Sequence, residues 1–455
     1  TGADLVVKDV AVTESHSYTG KGGAAYVDSG TLTLENSAIF DNVAVAGAGL
    51  WIHGTSSASI SNTQIVGNNA KYFFDPGPDP QPNTGGGLLV DNSDSLVIKE
   101  SVIRANSAVS DGFAFSIDNV RNVTISDTFV SQNNAEFVDF PEGYDYFGTA
   151  RIIADQTNIT DSQFTDNYSP SMLAGLQVIG PVTISRSLIS GNTSAGLYSG
   201  LTLGPELSQT FPPPNNVTAT VSNTTITANE GGNFGTGLIS FNSRLNLDSS
   251  TITGNSLLFP VYPTASSAGI LQMNGTATLT NSIVSGNGAT DITAIGKIPQ
   301  SPVPNQDFGG YVEGSYNLIG TVTGRPFKDL VAGSNISSHD PKLGPLGYSS
   351  GAKTQTMAPA PDSPVIDAGK SSLTTDQNGL PRPVAFGWLP TPSGGNRADI
   401  GAVEIQSLAA PKNRFTIGKV KPNRKKGTAT IKVTVPWSGE VRLRGSKTVK
   451  AFTRS

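Results

Sequence analysis

Ile184-Ser185-Arg186-Ser187-Leu188-Ile189-Ser190-Gly191-Asn192 is the stretch that decides the fold. An apolar residue is followed by a polar one at the second position after it, by an apolar one at the fifth and by Asn at the eighth. The same offsets recur as Leu34…Ile39…Asn42, Ile60…Ile65…Asn68, Ile98…Ile103…Asn106, Ile125…Val130…Asn133 and Ile159…Phe164…Asn167. They continue as Val221…Ile226…Asn229, Leu247…Ile252…Asn255 and Leu279…Val284…Asn287, and a tenth copy, Val7…Val12, ends in Ser15. Successive Asn residues are 26, 38, 27, 34, 25, 37, 26 and 32 apart, so the basic unit is 25–27 residues, lengthened in some copies.

Short apolar runs after a glycine precede many copies, as in Gly49-Leu50-Trp51-Ile52, Gly87-Leu88-Leu89-Val90, Gly237-Leu238-Ile239 and Gly269-Ile270-Leu271. They read as a further strand, so each unit is expected to hold two or three short strands joined by tight turns. The apolar positions are Ile, Val and Leu at strand spacing with no helical period, which argues against a leucine-rich repeat. One such unit cannot bury its own apolar face, whereas stacking on its neighbours does. The pattern predicts an all-β chain: a right-handed parallel β-helix (a solenoid) with a small β-rich module at its C-terminal end. The recurrent Asn falls at one turn of every coil, where Asn tolerates left-handed backbone geometry. Its carboxamide can bond to the Asn above and below. Asn42, Asn68, Asn106, Asn133, Asn167, Asn192, Asn229, Asn255 and Asn287 are therefore predicted to form an internal ladder. Ten coils at about 4.8 Å each give a rod of about 48 Å.

Composition narrows the chemistry. The 455 residues include no Cys, which excludes disulfides and thiolate sites, and only three His: His16, His53 and His339. Charged residues make up 14%, below the usual quarter. No run of about 18 apolar residues exists, so no membrane insertion is expected. The chain opens on Thr1 without the charged and apolar regions of a signal peptide, as expected if such a peptide has been removed or lies outside this sequence. Polygalacturonase-like sites need Asn-Thr-Asp, paired Asp-Asp, Gly-His-Gly and Arg-Ile-Lys, and none occurs. Pectate-lyase-like sites need an Arg beside clustered Asp ligands, and Arg is sparse along the coils. His53, in Trp51-Ile52-His53, reads as a packed or surface residue rather than a general base. No catalytic residue and no metal ligand is assigned.

The loop insertions stand out from this scaffold. Residues 71–84, 136–147 and 257–267 each begin within three residues of a repeat Asn, so they are expected to leave the rod at one corner. These 37 residues hold ten aromatics, about 27% against 7% for the chain: Tyr72, Phe73, Phe74, Phe137, Phe140, Tyr144, Tyr146, Phe147, Phe259 and Tyr262. Asp75, Asp79, Glu136, Asp139, Glu142 and Asp145 accompany them. A fourth insertion, 203–216, starts later in its coil and is less aromatic. One reading is a satellite hydrophobic cluster, loops packed on each other and on the rod. Another is a carbohydrate platform, with rings stacking on sugar faces and carboxylates accepting hydroxyl hydrogen bonds. Calcium held by Asp139, Glu142 and Asp145 is a third, at a spacing that matches no standard calcium loop.

Residues 288–405 lose the period. Asn281-Ser282-Ile283-Val284-Ser285-Gly286-Asn287 leads to Tyr316-Asn317-Leu318-Ile319-Gly320, Asp340-Pro341-Lys342-Leu343-Gly344-Pro345-Leu346 and Ser363-Pro364-Val365-Ile366-Asp367-Ala368-Gly369. Thr375-Asp376-Gln377-Asn378-Gly379, Arg382-Pro383 and Asp399-Ile400-Gly401-Ala402-Val403-Glu404 follow. In that order they resemble the choice-of-anchor Q domain of exported bacterial β-helix proteins, whose helices are similar to polymorphic outer-membrane-type repeats. The likeness covers roughly residues 1–405. It implies a secreted or surface-attached bacterial protein with a β-helix fold, and no established activity. The Asp and Arg residues of the series read as loop-fixing hydrogen-bond partners rather than catalysts.

The expected organisation is thus a repeat region at 1–287, the end of the β-helix with the anchor-Q-like region at 288–405, and a basic module at 411–455. That module has thirteen Lys or Arg against Glu440 alone, a charge of about +12. Its aromatics, Phe415, Trp437 and Phe452, are too few for a nucleic-acid stacking platform, and attraction to an acidic envelope polymer suits it better. The expectation for function is adhesion or glycan binding by a monomer, with an extracellular or envelope polysaccharide as partner. A polysaccharide lyase or glycoside hydrolase, and a structural spacer, are the alternatives.

Overall fold

The two apolar offsets of the repeat become two inward rows in space. A computed structural model describes residues 2–71, 84–109, 111–135, 148–170, 173–204, 217–231, 233–258, 266–288, 290–295, 309–410 and 416–434. Ile60, Ile98, Ile125, Ile159, Ile184, Val221, Leu247 and Leu279 stack in direct register across parallel strands. Ile39, Ile65, Ile103, Val130, Phe164, Ile189, Ile226, Ile252 and Val284 form the second row. All are buried. Each contributes about 1.5–3 kcal/mol on leaving water, and each does so only because a coil lies above and below.

Among the described residues of 2–406 the strands form a 19-stranded, a 12-stranded and an 8-stranded sheet, all parallel, with no α-helix. A coil holds more strand segments than the sequence suggested. Leu88–Asp91, Ser95–Lys99, Val102–Arg104 and Ser107–Ala108 make one turn of the rod. In some coils the first two merge, as in Phe115–Ser126. The two-residue strands of the smallest sheet are too short for a periodic apolar signature.

The nine repeat Asn residues form a continuous buried ladder. Each donates from its backbone N–H and from its carboxamide nitrogen to the Oδ1 of the next; Asn106 reaches Asn133 at 2.9 and 3.0 Å, and Asn133 reaches Asn167 at 3.1 and 2.9 Å. The carboxamide also bonds a carbonyl of the preceding coil, as Asn133 does with Ile103 (3.1 Å). The ladder ends on a group that only accepts: Asn287 donates twice to Asp291 Oδ1 (2.9 Å each), and Asp291 Oδ2 takes the Thr321 N–H (2.8 Å).

One detail of the turn differs from expectation. The left-handed residue is the one before the ladder Asn, in all nine coils: Asp41, Gly67, Ala105, Gln132, Asp166, Gly191, Ala228, Gly254 and Gly286, with φ from +52° to +73°. The corner is made there, so that the following Asn side chain points into the rod. Ala105 and Ala228 are exposed, and an L-residue in this region costs about 1–2 kcal/mol. Ala105→Gly and Ala228→Gly are expected to raise stability by up to about 1 kcal/mol, after the larger entropy loss of Gly. Thermal unfolding checks this, with Ala44→Gly, at a buried strand position, lowering the midpoint instead.

A second internal row runs five residues ahead of each ladder Asn: Ser37, Thr63, Ser101, Thr128, Ser162, Ser187, Thr224, Ser250 and Ser282, all buried. Ser162 Oγ donates to the Thr160 carbonyl (2.8 Å) and accepts the Thr128 N–H (3.2 Å). Asn317 takes over at the end, accepting from Ser282 N–H at 2.8 Å. The rod therefore continues past residue 287, through Ile292–Ile295, Gly310–Ser315 and Leu318–Ile319.

Residues 340–406 cover the outer face of the 12-stranded sheet. Gln163 reaches Tyr348 Oη (2.8 Å), Thr354 reaches the Arg186 carbonyl (3.2 Å), Thr225 reaches Gln377 (2.6 Å) and Asn281 reaches the Asp399 carbonyl (2.8 Å). Outward residues there are sealed: Leu188, Thr225, Ile283 and Leu318 are buried, whereas Gln64 and Arg104, earlier in the same sheet, are exposed. Thr1–Gln406 is one compact unit, and Ser407–Ser455 is a second. In the second, Thr416–Ile417 pairs with Val433–Thr434 and Lys421–Asn423 with Thr428–Thr430, both antiparallel.

Candidate functional site

Two places were marked by sequence: the aromatic insertions and the Asp/Arg motif series. The insertions share a corner. Their roots follow the third, smallest sheet: the chain departs after Asn69–Ala70, after Asn134–Ala135 and after Leu258, two residues past the bridge of Ser256 with Glu230. It returns at Thr84, Gly148 and Ser266 and enters Leu88–Asp91, Ala150–Thr160 and Ile270–Thr280. Each insertion therefore joins the third sheet to the 19-stranded sheet. The corner itself is tight. A Cβ on Gly87 would lie 2.5 Å from the Ala114 carbonyl oxygen, and one on Gly237 2.3 Å from that of Gly269. Bulk is excluded where the coils stack. Tyr72, Phe73, Phe74, Asp75, Phe137, Asp139, Phe140, Glu142, Tyr144, Asp145, Tyr146, Phe259 and Tyr262 all lie outside the described residues, as do 205–216 of the fourth insertion. No group of His, Asp and Glu among the described residues has the arrangement of a metal site.

The face next to that corner is described. The outward positions Tyr26, Trp51, Leu89, Ser116, Arg151, Gln177, Thr202, Ile239 and Leu271 follow one another in register along the 19-stranded sheet. Toward the later coils this face is sealed by a satellite core. Leu173, Tyr198 and Phe234, from the same corner, pack with Ile239, Phe241, Leu271 and Met273. Tyr198 meets Phe234 and Phe241 edge-on, at 6.3 and 5.6 Å between ring centroids. Toward the first coils the face is aromatic and polar, with Tyr26 41% exposed.

The motif series forms a buried clasp. Arg382 and Glu404 have fully buried side chains and bond at 2.9 Å (Nε to Oε2). The guanidinium also reaches Asn223 Oδ1 on the rod (3.1 Å) and the Gly401 carbonyl (2.7 Å). The carboxylates collect backbone N–H groups. Glu404 takes those of Val384 (2.7 Å) and Asp399 (2.9 Å), Asp399 those of Asp367 and Ile405 (2.8 Å each), and Asp376 those of Asn378, Leu380 and Glu404. Burial, and then the charge of Glu404, pushes Asp399 up to about 8. Burial also raises Glu404, against the pull of Arg382, and raises Asp367. These groups face loop backbone rather than solvent, which suits fixing loops rather than turning over a substrate.

Residues 2–108 match a family model described as a right handed beta helix region. The fold is a right-handed parallel β-helix. No curated protein and no solved structure matches the chain. In this β-helix the Asn ladder and the hydroxyl row pair their polar groups within the rod. The Ser/Thr row was readable as a fixed offset of five residues before each Asn. It is masked in the sequence by the abundance of Ser and Thr throughout the chain.

Proposed function

We propose that this β-helix is a carbohydrate-binding protein of the cell surface or secreted fraction, contacting an extracellular glycan through the aromatic and acidic insertions of one corner. The observation that carries this reading is the common origin of the three insertions. Their roots emerge between the same two sheets, and the first two are two coils, about 10 Å, apart. Aromatic rings with carboxylates, displayed on a rigid scaffold, suit the amphipathic faces and hydroxyls of sugars. The β-helix supports adhesion by rigidity: its ladders hold successive coils in register, so the roots of the insertions keep their spacing. The basic module suits attraction to an acidic envelope polymer.

A glycan array probed with the full chain and with the Tyr72→Ala/Tyr144→Ala double variant tests the reading. Binding to at least one glycan is expected, weakened by about tenfold or more in the variant and unaffected by chelator. A folded wild-type chain that binds no glycan removes the proposal and leaves a spacer. Release of shorter products from a bound polysaccharide would replace adhesion by lyase or hydrolase action.

A further inference from the structure

The 19-stranded sheet carries a second outward row beside the one that begins with Tyr26. Asp28, His53, Asp91 and Asp118 are register partners in successive coils. His53 Nδ1 is hydrogen-bonded to Asp91 Oδ1 from the next coil, while the Trp51 indole N–H donates to Asp91 Oδ2 at 3.3 Å. One carboxylate is thus oriented by two donors of the neighbouring strand. His53 Nε2 has no hydrogen bond among the described residues, and the side chain is 39% exposed. Buried Trp51 supports the half-exposed Tyr26 edge-on, centroids 5.5 Å apart at 72°. The Lys21 ammonium lies 4.3 Å from the Trp51 ring and 5.8 Å from that of Tyr26.

We propose that Tyr26, Asp28, His53 and Asp91, backed by Trp51 and Lys21, form a subsite for one neutral sugar residue of a glycan. The Tyr26 ring stacks on the apolar face of the sugar. Asp91 and Asp28 accept hydroxyl protons, for which a carboxylate keeps free lone pairs after two hydrogen bonds. His53 Nε2 and Lys21 meet the remaining hydroxyls. Three carboxylates on one row disfavour an acidic sugar by like-charge repulsion. The groups sit on regular strands rather than on loops, and a rigid strand holds a polar constellation more closely than a loop does. The strand of Leu89 and Asp91 follows the corner at Thr84 by four residues, so the site lies on the face next to that corner. The last coils lack this character, because their outward Ile239, Phe241, Leu271 and Met273 are buried in the satellite core.

This subsite rests on the reading that the ligand is a glycan, and the experiment separates the two. Isothermal titration of the full chain uses cellohexaose, mannohexaose, xylohexaose and, as an acidic counterpart, a galacturonic acid hexamer. Binding of a neutral oligomer is expected. Tyr26→Ala and His53→Ala should each weaken it by about tenfold, while Tyr26→Phe stays near wild type. Unfolding curves verify the fold, and Tyr26→Leu, which keeps the packing on Trp51, replaces Tyr26→Ala if that variant does not fold. Binding that survives Tyr26→Ala and His53→Ala but is lost in Tyr72→Ala/Tyr144→Ala overturns the subsite alone. No binding of any oligomer overturns the subsite and the glycan reading together. Preference for the acidic hexamer overturns the neutral-sugar assignment.

Discussion

Asn133→Ala is expected to destabilise the rod by about 3–5 kcal/mol, the cost of leaving two buried donors without an acceptor and a carbonyl short of a donor. The donors are the backbone N–H and carboxamide of Asn106, which share Asn133 Oδ1 at 2.9 and 3.0 Å. On the other side the Ile103 carbonyl loses a bond of 3.1 Å and Asn167 Oδ1 loses one of its two donors. No water replaces them without widening the coil, because the Asn row is fully enclosed. Asn133→Asp is expected to be no better. It keeps the acceptor for Asn106 but faces Asn167 Oδ1 and the carbonyls of Ile103 and Ser131 with an oxygen where a donor stood. The chain itself places a carboxylate in this row only at Asp291, the last rung, where nothing must be donated onward. The matching exterior pair is the control. Asn62 donates to Asn36 at 2.8 Å on the exposed surface, and Asn62→Gly, which suits its left-handed backbone at φ +44°, should stay within about 0.5 kcal/mol. Denaturant unfolding with two probes is the measurement, since a solenoid can unfold in parts. Equal effects at positions 133 and 62 would refute the ladder as a main source of stability.

The sequence carried the architecture because stacking imposes exact offsets. An inward Ile or a ladder Asn must fall at one place in every coil, so the period survives insertions of any length. Other features have no such constraint. The left-handed turn went to the wrong residue because Asn satisfies both a left-handed turn and a ladder, and composition does not separate them. The alignment of Asp28, His53 and Asp91 was hidden by spacings of 25 and 38, which differ only through an insertion between coils. The course of residues 340–406 was invisible for a stronger reason. Its contacts, such as Gln377 with the Ser187 carbonyl at 3.0 Å, join residues 190 apart without any period. The motif series could be read as a unit, and its Asp and Arg as loop-fixing, but not which face of the rod it seals. The aromatic insertions were legible as a compositional anomaly, and their roots alone are placed by the coil geometry.

The second large effect concerns that sealing segment. Arg382→Met is expected to cost about 3–5 kcal/mol, since it leaves the buried Glu404 carboxyl without its cation, next to Asp399. Asn223 Oδ1 loses its guanidinium donor at the same time. The loss should appear locally: amide hydrogen exchange over 363–405 accelerates by about 100-fold or more, while the coils before residue 127 keep their protection. Arg382→Met/Glu404→Gln should recover a large part, because the uncompensated charge is gone. The same cluster makes the segment pH-sensitive with a defined sign. Asp399, Glu404 and Asp367 are all raised above their unfolded values, chiefly by burial. The folded state therefore binds more protons than the unfolded one between the ordinary carboxylate range and the raised values, and stability falls with rising pH there. The contribution is complete below about pH 4 and is lost as pH passes through the Asp399 value of about 8. Exchange over 363–405 should be slower, relative to intrinsic rates, at pH 6 than at pH 9. Unchanged protection in Arg382→Met, or tighter docking at pH 9, would mean that apolar contacts of Val365 and Ile400 with Ile283 and Leu318 hold the segment and that the charged clasp is incidental.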